Sequence, residues 1–71
     1  MENNIKKIRE GLNLTRHEFC ALLFITYQTV AHYEYGNKNP SIKTCYKIIK
    51  LVKELTNMDI KIEDIRPDII S

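Results

Sequence analysis

The stretch Thr15-Arg16-His17-Glu18-Phe19-Cys20-Ala21-Leu22-Leu23-Phe24-Ile25-Thr26-Tyr27-Gln28-Thr29-Val30-Ala31-His32-Tyr33-Glu34-Tyr35-Gly36 decides the fold. Thr15 and Glu18 stand three apart, the spacing of a capping box. The hydroxyl accepts from the Glu18 amide while the carboxylate reaches back to the Thr15 amide. A helix therefore opens after Thr15, with Phe19, Leu22 and Leu23 as its apolar stripe. Thr26 is placed to cap a further helix from Tyr27 to Tyr35, with Val30 and Tyr33 inward and Gly36 as left-handed terminator. Two short helices on so tight a link must cross steeply. The crossing needs a small side chain, which Cys20 supplies, and Leu23, Ile25, Val30 and Tyr33 hold the corner. Tyr27, Gln28, Ala31 and His32 are left on the outer face of the second helix.

Working outward, an earlier helix covers Asn3 to Gly11, with Ile5, Ile8 and Leu12 on one face, and Gly11 with Asn13 ends it. Downstream, Pro40 cannot extend the preceding helix and Ser41 caps the next. That helix carries Cys45, Ile48, Ile49 and Val52 on one face and Lys43, Lys47 and Lys50 on the opposite, solvated one. A short turn, Ile62-Glu63-Asp64-Ile65, stops before Pro67. No stretch alternates cleanly as a strand would, beyond Ile60-Lys61-Ile62 briefly. The expected fold is all-α, a compact bundle of four helices plus a short fifth, as one domain over 1–71. Tyr33 is expected in the core, Tyr46 partly buried, and Tyr27 and Tyr35 exposed.

Composition narrows the function. Hydrophobic residues at 44% against 28% charged argue for a folded domain, and 71 residues leave little room for a deep catalytic pocket. No Ser/His/Asp or Cys/His arrangement, glycine-rich phosphate loop or carboxylate pair has credible spacing, so no enzyme and no cofactor is expected. Cys20 and Cys45 fall at apolar helical positions and read as buried reduced thiols. His17 and His32 are too few and too far from them for zinc, and His17 reads as a solvated first-turn residue. The longest apolar run, Ala21 to Ile25, is far short of the ~20 residues that span a bilayer. With no secretory leader at Met1-Glu2-Asn3-Asn4, a cytoplasmic location is expected. The net charge of +2 is uneven: +2 over 1–16, −1 over 17–40, +3 over 41–55 and −2 over 56–71.

Residues 5–55 resemble the Cro/repressor, or XRE-like, helix-turn-helix family of DNA-binding regulators. The match runs without a gap from Thr15 to Ser41, including the E-x-G-x-x-x-P-S ending at Glu34, Gly36, Pro40 and Ser41. The tail Asp64-Ile65-Arg66-Pro67-Asp68-Ile69 is similar to the L-R-P-D ending of some small phage Cro-like proteins. The resemblance implies a motif at about 16–35 whose recognition helix lies in the major groove. Tyr27, Gln28, Ala31 and His32 would then face bases, with Gln28 suited to bond adenine N6 and N7 bidentately. Arg16, Thr26, Thr29, Tyr35, Asn37, Lys38 and Lys43 would meet phosphates. Arg9 and Glu34 match the family's ion pair between the first and third helices. The implied partner is double-stranded operator DNA, bound as a homodimer; no membrane, metal or small-molecule ligand is implied.

Two positions depart from the family pattern. Phe24 stands where glycine is usual, because the link tends to need φ > 0; phenylalanine there costs about 1–2 kcal/mol. Either the link is reshaped or packing of Phe24 offsets the strain. Arg16 replaces a glutamine and can serve the same phosphate oxygen with added charge. The tail 56–71 holds Ile60, Ile62, Ile65, Ile69 and Ile70. Some are expected in the core; the rest, Ile69 and Ile70 foremost, are expected to form a dimerisation patch. The rival function is a protein-interaction module, such as an antitoxin-like subunit, on the same fold.

Overall fold

A computed structural model describes residues 3–69. Five helices follow one another: α1 (Ile5–Gly11), α2 (Arg16–Leu23), α3 (Tyr27–Glu34), α4 (Ile42–Thr56) and α5 (Ile62–Ile65), with a 3-10 turn at Pro67–Ile69. No strand occurs among the described residues. The order and type of elements match the expectation from sequence.

Local hydrogen bonds explain where each helix starts. Thr15 Oγ1 accepts from the Glu18 amide at 3.1 Å while Glu18 Oε1 accepts from the Thr15 amide at 2.8 Å. Thr26 Oγ1 accepts from the Thr29 amide at 3.1 Å, and Ser41 Oγ from the Thr44 amide at 3.2 Å. Each satisfies an amide that has no partner inside its helix. α1 starts at Ile5, two residues later than expected, because the asparagines before it are engaged elsewhere. Asn3 Nδ2 donates to Tyr33 O and Asn39 Oδ1, both at 3.0 Å, and the Asn4 amide donates to Ile65 O at 2.9 Å. The chain's first turn is thereby sewn to α3 and α5.

The ends of all four longer helices use the left-handed region, at Asn13, Phe24, Gly36 and Asn57. Gly36 terminates α3 at φ 78, as expected. Gly11, in contrast, is the last residue of α1, and the left-handed residue is Asn13 at φ 59. Asn57, at φ 62, ends α4 in the same way. Asparagine tolerates this conformation better than other side chains do, since its short polar group bonds locally.

The core comprises Ile5, Phe19, Cys20, Leu23, Val30, Tyr33, Cys45, Ile48, Leu51, Val52 and Ile65. Ile8, Leu12, Ile25, Ile49, Ile60 and Ile62 pack against it partly buried. Phe19 is fully enclosed where α2 meets α3 and α4, so Phe19→Ala would cost about 3–5 kcal/mol. Several expectations are corrected. Leu22 is 46% exposed, because α2 buries only a narrow strip at Phe19, Cys20 and Leu23. Tyr46 is 62% exposed, whereas Leu51 is buried. Lys47 is half-buried and its Nζ lies 3.4 Å from Leu23 O, so the lysine face of α4 is not uniformly solvated. That cation sits at the end of α2, where the unpaired carbonyls favour positive charge. No helix among the described residues is long and apolar enough to cross a membrane.

The acidic tail folds back on the body. Arg66 Nη1 donates to Pro40 O at 3.0 Å and Nη2 to Asp68 Oδ2 at 2.8 Å. Ile65 is fully buried and Ile69 half-buried, while Ile70 lies outside the described residues. The described tail therefore offers no exposed isoleucine patch. The exposed large apolar residues at this end are Leu55, in the last turn of α4, and Met58 at the start of the tail.

Candidate nucleic-acid interface

The link between α2 and α3 keeps its left-handed residue. Phe24 has φ 57 and ψ 43; its amide donates to Ala21 O at 3.4 Å, and the Ile25 amide to Cys20 O at 3.1 Å. This is the Schellman pattern, a 5→2 bond nested in a 6→1 bond. Phe24 is nonetheless 88% exposed. The link is thus not reshaped, and no packing of the ring offsets the strain; the backbone bonds and the anchored Ile25 hold it.

The link aims α3 so that Val30 and Tyr33 are buried. Tyr27, Gln28, Ala31 and His32 then share the opposite face, through the one- and four-residue offsets of a helix. Tyr27 and Gln28 are exposed, and Ala31 and His32 half-buried. Thr26 and Thr29 share a hydroxyl–hydroxyl bond of 2.7 Å beside the first turn of α3. Asn37 and Lys38 are exposed in the loop after Gly36, and Lys43 is exposed in the first turn of α4. The amides that open α2, α3 and α4 carry the positive end of each helix dipole, which suits an anion.

An ion-pair network lies behind this face. Arg9 Nε donates to Glu34 Oε2 at 2.6 Å, Arg9 Nη2 to Oε1 at 3.1 Å, and Arg9 Nη1 to Leu14 O at 2.8 Å. Glu34 has 0% of its side chain exposed. A second arginine completes the site. Arg16 Nε donates to Glu34 Oε1 at 3.0 Å, Nη1 donates to Tyr35 Oη at 3.2 Å, and the guanidinium sits 5.1 Å from the centre of the Tyr35 ring. Burial pushes the Glu34 carboxyl up, but bonds and charge from Arg9 and Arg16 outweigh it and hold the group below the ordinary range. Donating to Glu34 raises Arg9 in turn.

Sequence reasoning found the pair of Arg9 with Glu34 and missed the third member. The available signal was a second arginine at the start of α2, facing the end of α3 once the two helices cross. His17 is exposed in the first turn of α2, as expected. Its ring lies 4.5 Å from that of Tyr27, tilted by 31°. Cys20 and Cys45 are free and buried, and burial pushes both thiols up.

A helix-turn-helix family model matches residues 5–53. The chain belongs to the helix-turn-helix family, of the Cro/repressor type. It is 34% identical over 65 residues to an uncharacterized HTH-type transcriptional regulator of Archaeoglobus fulgidus, a match covering 92% of this chain and 83% of that one. A second relative, an uncharacterized HTH-type transcriptional regulator of Methanocaldococcus jannaschii, is 35% identical over 65 residues, covering 92% and 89%. Both relatives are archaeal. Within the matched span, α2 and α3 are the two helices of the motif.

Proposed function

We propose that this chain is a sequence-specific DNA-binding regulator of transcription, a Cro-like repressor that acts in the cytoplasm by occluding a pseudo-palindromic operator. One observation carries the reading. The outer face of α3 presents Gln28 exposed and, among the described residues, without a side-chain hydrogen bond, while the inner face is buried at Val30 and Tyr33. A free carboxamide on a rigidly held helix is what adenine readout needs. Tyr27, Ala31 and His32 complete the base-facing set. Thr26, Thr29, Asn37, Lys38 and Lys43 form the phosphate-facing rim, with the Tyr35 hydroxyl engaged by Arg16.

Size favours two copies. The body extends 29 × 26 × 19 Å, whereas successive major grooves on one face of the duplex lie roughly 34 Å apart. One chain thus covers one half-site, and a second copy reads the next. Leu55 and Met58, exposed at the end of α4, are the apolar surface that such a pair would cover.

Selection of bound sequences from a random duplex pool, followed by a salt titration, tests the reading. Enriched sites should be two-fold symmetric, and log affinity should fall linearly with log salt, with a slope of about −0.9 per phosphate neutralised. No enrichment and a flat salt response would sink it. The second reading, a protein-interaction module, is favoured by Phe24. It is exposed and strained, beside a shallow groove lined by Leu22, Lys47, Lys50 and Leu51. That reading gives the flat response.

A further inference from the structure

We propose that Arg16 is a positioning residue that braces Glu34 and Tyr35 at the C-terminal end of α3, and is not a phosphate ligand. The inference rests on the DNA-binding reading above and concerns how its reading helix is held. Three features of the site converge on it. Glu34 is enclosed, and Oε1 accepts from both Arg9 Nη2 and Arg16 Nε. Arg16 Nη1 is committed to the Tyr35 hydroxyl, and the guanidinium lies over the Tyr35 ring. The neighbouring His17 stacks on Tyr27, so the first turn of α2 also supports the first residue of α3. The Tyr27 and Tyr35 hydroxyls and the Glu34 carboxylate together raise Arg16 well above the ordinary arginine value.

The planar guanidinium suits this task and an ammonium does not. One fork delivers Nε to a carboxylate and Nη1 to a phenol while its face lies against a ring; lysine is a point charge on a flexible stem. Turning Arg16 out to a phosphate would break both bonds and uncover the Tyr35 ring. In exchange it would gain a contact that salt screens. The set of α3 against α2, and with it the placement of Gln28, therefore depends on Arg16 staying home on Glu34 and Tyr35.

The test uses the full chain carrying Arg16→Lys, Arg16→Gln or Tyr35→Phe, each confirmed helical by circular dichroism. Binding to a selected site and to a random duplex is measured over a salt series. As a positioning residue, Arg16 replaced by lysine or glutamine loses about tenfold on the selected site, the order of one lost base contact. Random-duplex binding and the salt slope stay as in the unchanged chain. Tyr35→Phe, which removes only the acceptor of Nη1, shows a smaller loss of the same kind and keeps the test open should Arg16→Gln fail to fold. A phosphate ligand behaves differently: lysine retains the affinity, glutamine loses equally on both duplexes, and the slope shrinks by about 0.9. That result overturns the proposal while leaving the DNA-binding reading intact. Unchanged chain that binds no duplex at any salt overturns both.

Discussion

Glu34 Oε2 lies 2.6 Å from Arg9 Nε across 25 residues of sequence, and the Glu34 side chain has 0% of its surface exposed. Arg9 brings α1, Glu34 the end of α3 and Arg16 the start of α2, so one carboxylate joins three helices. Removing it leaves Arg9, itself largely covered, beside an uncompensated cavity. Glu34→Ala should therefore destabilise the fold by about 3 kcal/mol, as for breaking a buried pair. In a domain of this size each kcal/mol moves Tm by about 4–8 °C. A thermal melt that shifts by less than a few degrees would show the network to be idle.

The same carboxylate sets an acid limit. Arg9 and Arg16 outweigh burial and hold Glu34 low; the Thr15 amide and hydroxyl hold Glu18 low; Arg66 holds Asp68 low. A carboxyl depressed in the folded state adds stability above its unfolded pKa, about 4, and loses that contribution as pH falls through the folded value. Stability should thus be level above pH 5 and decline below pH 4. Glu34→Gln should start lower at neutral pH and show a shallower acid decline. Urea midpoints at pH 7, 5, 4 and 3 measure both; parallel declines would contradict the assignment to Glu34.

Phe24 offers a gain instead of a loss. At φ 57 the phenylalanine Cβ is strained by about 1–2 kcal/mol, and at 88% exposure the ring has little burial to give up. Glycine removes the strain, although it adds about 0.5–1 kcal/mol of unfolded-chain entropy. Phe24→Gly should raise stability by about 0.5–1 kcal/mol net, with the Schellman bonds kept. A lower Tm for the variant would mean that the ring packs in solution, against its exposure here.

These residues also mark how far the sequence was legible. Thr15, Thr26 and Ser41 were readable as caps because a hydroxyl-to-amide bond spans three residues and needs no tertiary partner. Gly36 was readable as a helix terminator, whereas the resemblance flagged Phe24 but left open whether the link is reshaped. The Asn3 bonds to Tyr33 and Asn39 were not, since they cross 30 and 36 residues and exist only after α1 docks. The exposure of Leu22 and the burial of Leu51 escaped for a similar reason: apolar spacing defines a stripe, but only packing decides which edge of it is covered. On the candidate interface, the spacing of Tyr27, Gln28, Ala31 and His32 put them on one face. That Arg16 would be held by Glu34 and Tyr35 depended on the angle between two helices.

Assembly is open to a direct test at the end of α4. Leu55 and Met58 are exposed and absent from the core, so polar substitution there removes an apolar surface without opening a cavity. The double change Leu55→Gln with Met58→Gln should leave helicity and single half-site affinity unchanged, and should abolish cooperative filling of two adjacent half-sites. Cooperative filling that persists in the double variant would move the contact between subunits elsewhere.

Gln28 is the sharpest test of how sequence is read. It stands in the first turn of α3, exposed, with Val30 and Tyr33 anchoring the opposite face so that the helix cannot roll away from a groove. Removing the carboxamide leaves the helix its better former, alanine, and takes away no buried contact. Stability should therefore be unchanged or slightly higher. If the carboxamide bonds a base edge, Gln28→Ala should cost about 1–3 kcal/mol on a selected site and far less on random duplex, and a fresh selection should show relaxed preference at one position per half-site. A phosphate contact would instead weaken both duplexes alike and leave every position of the site as selective as before. Parallel titrations of the two duplexes at one salt concentration separate these outcomes, because only a base contact makes the loss depend on sequence.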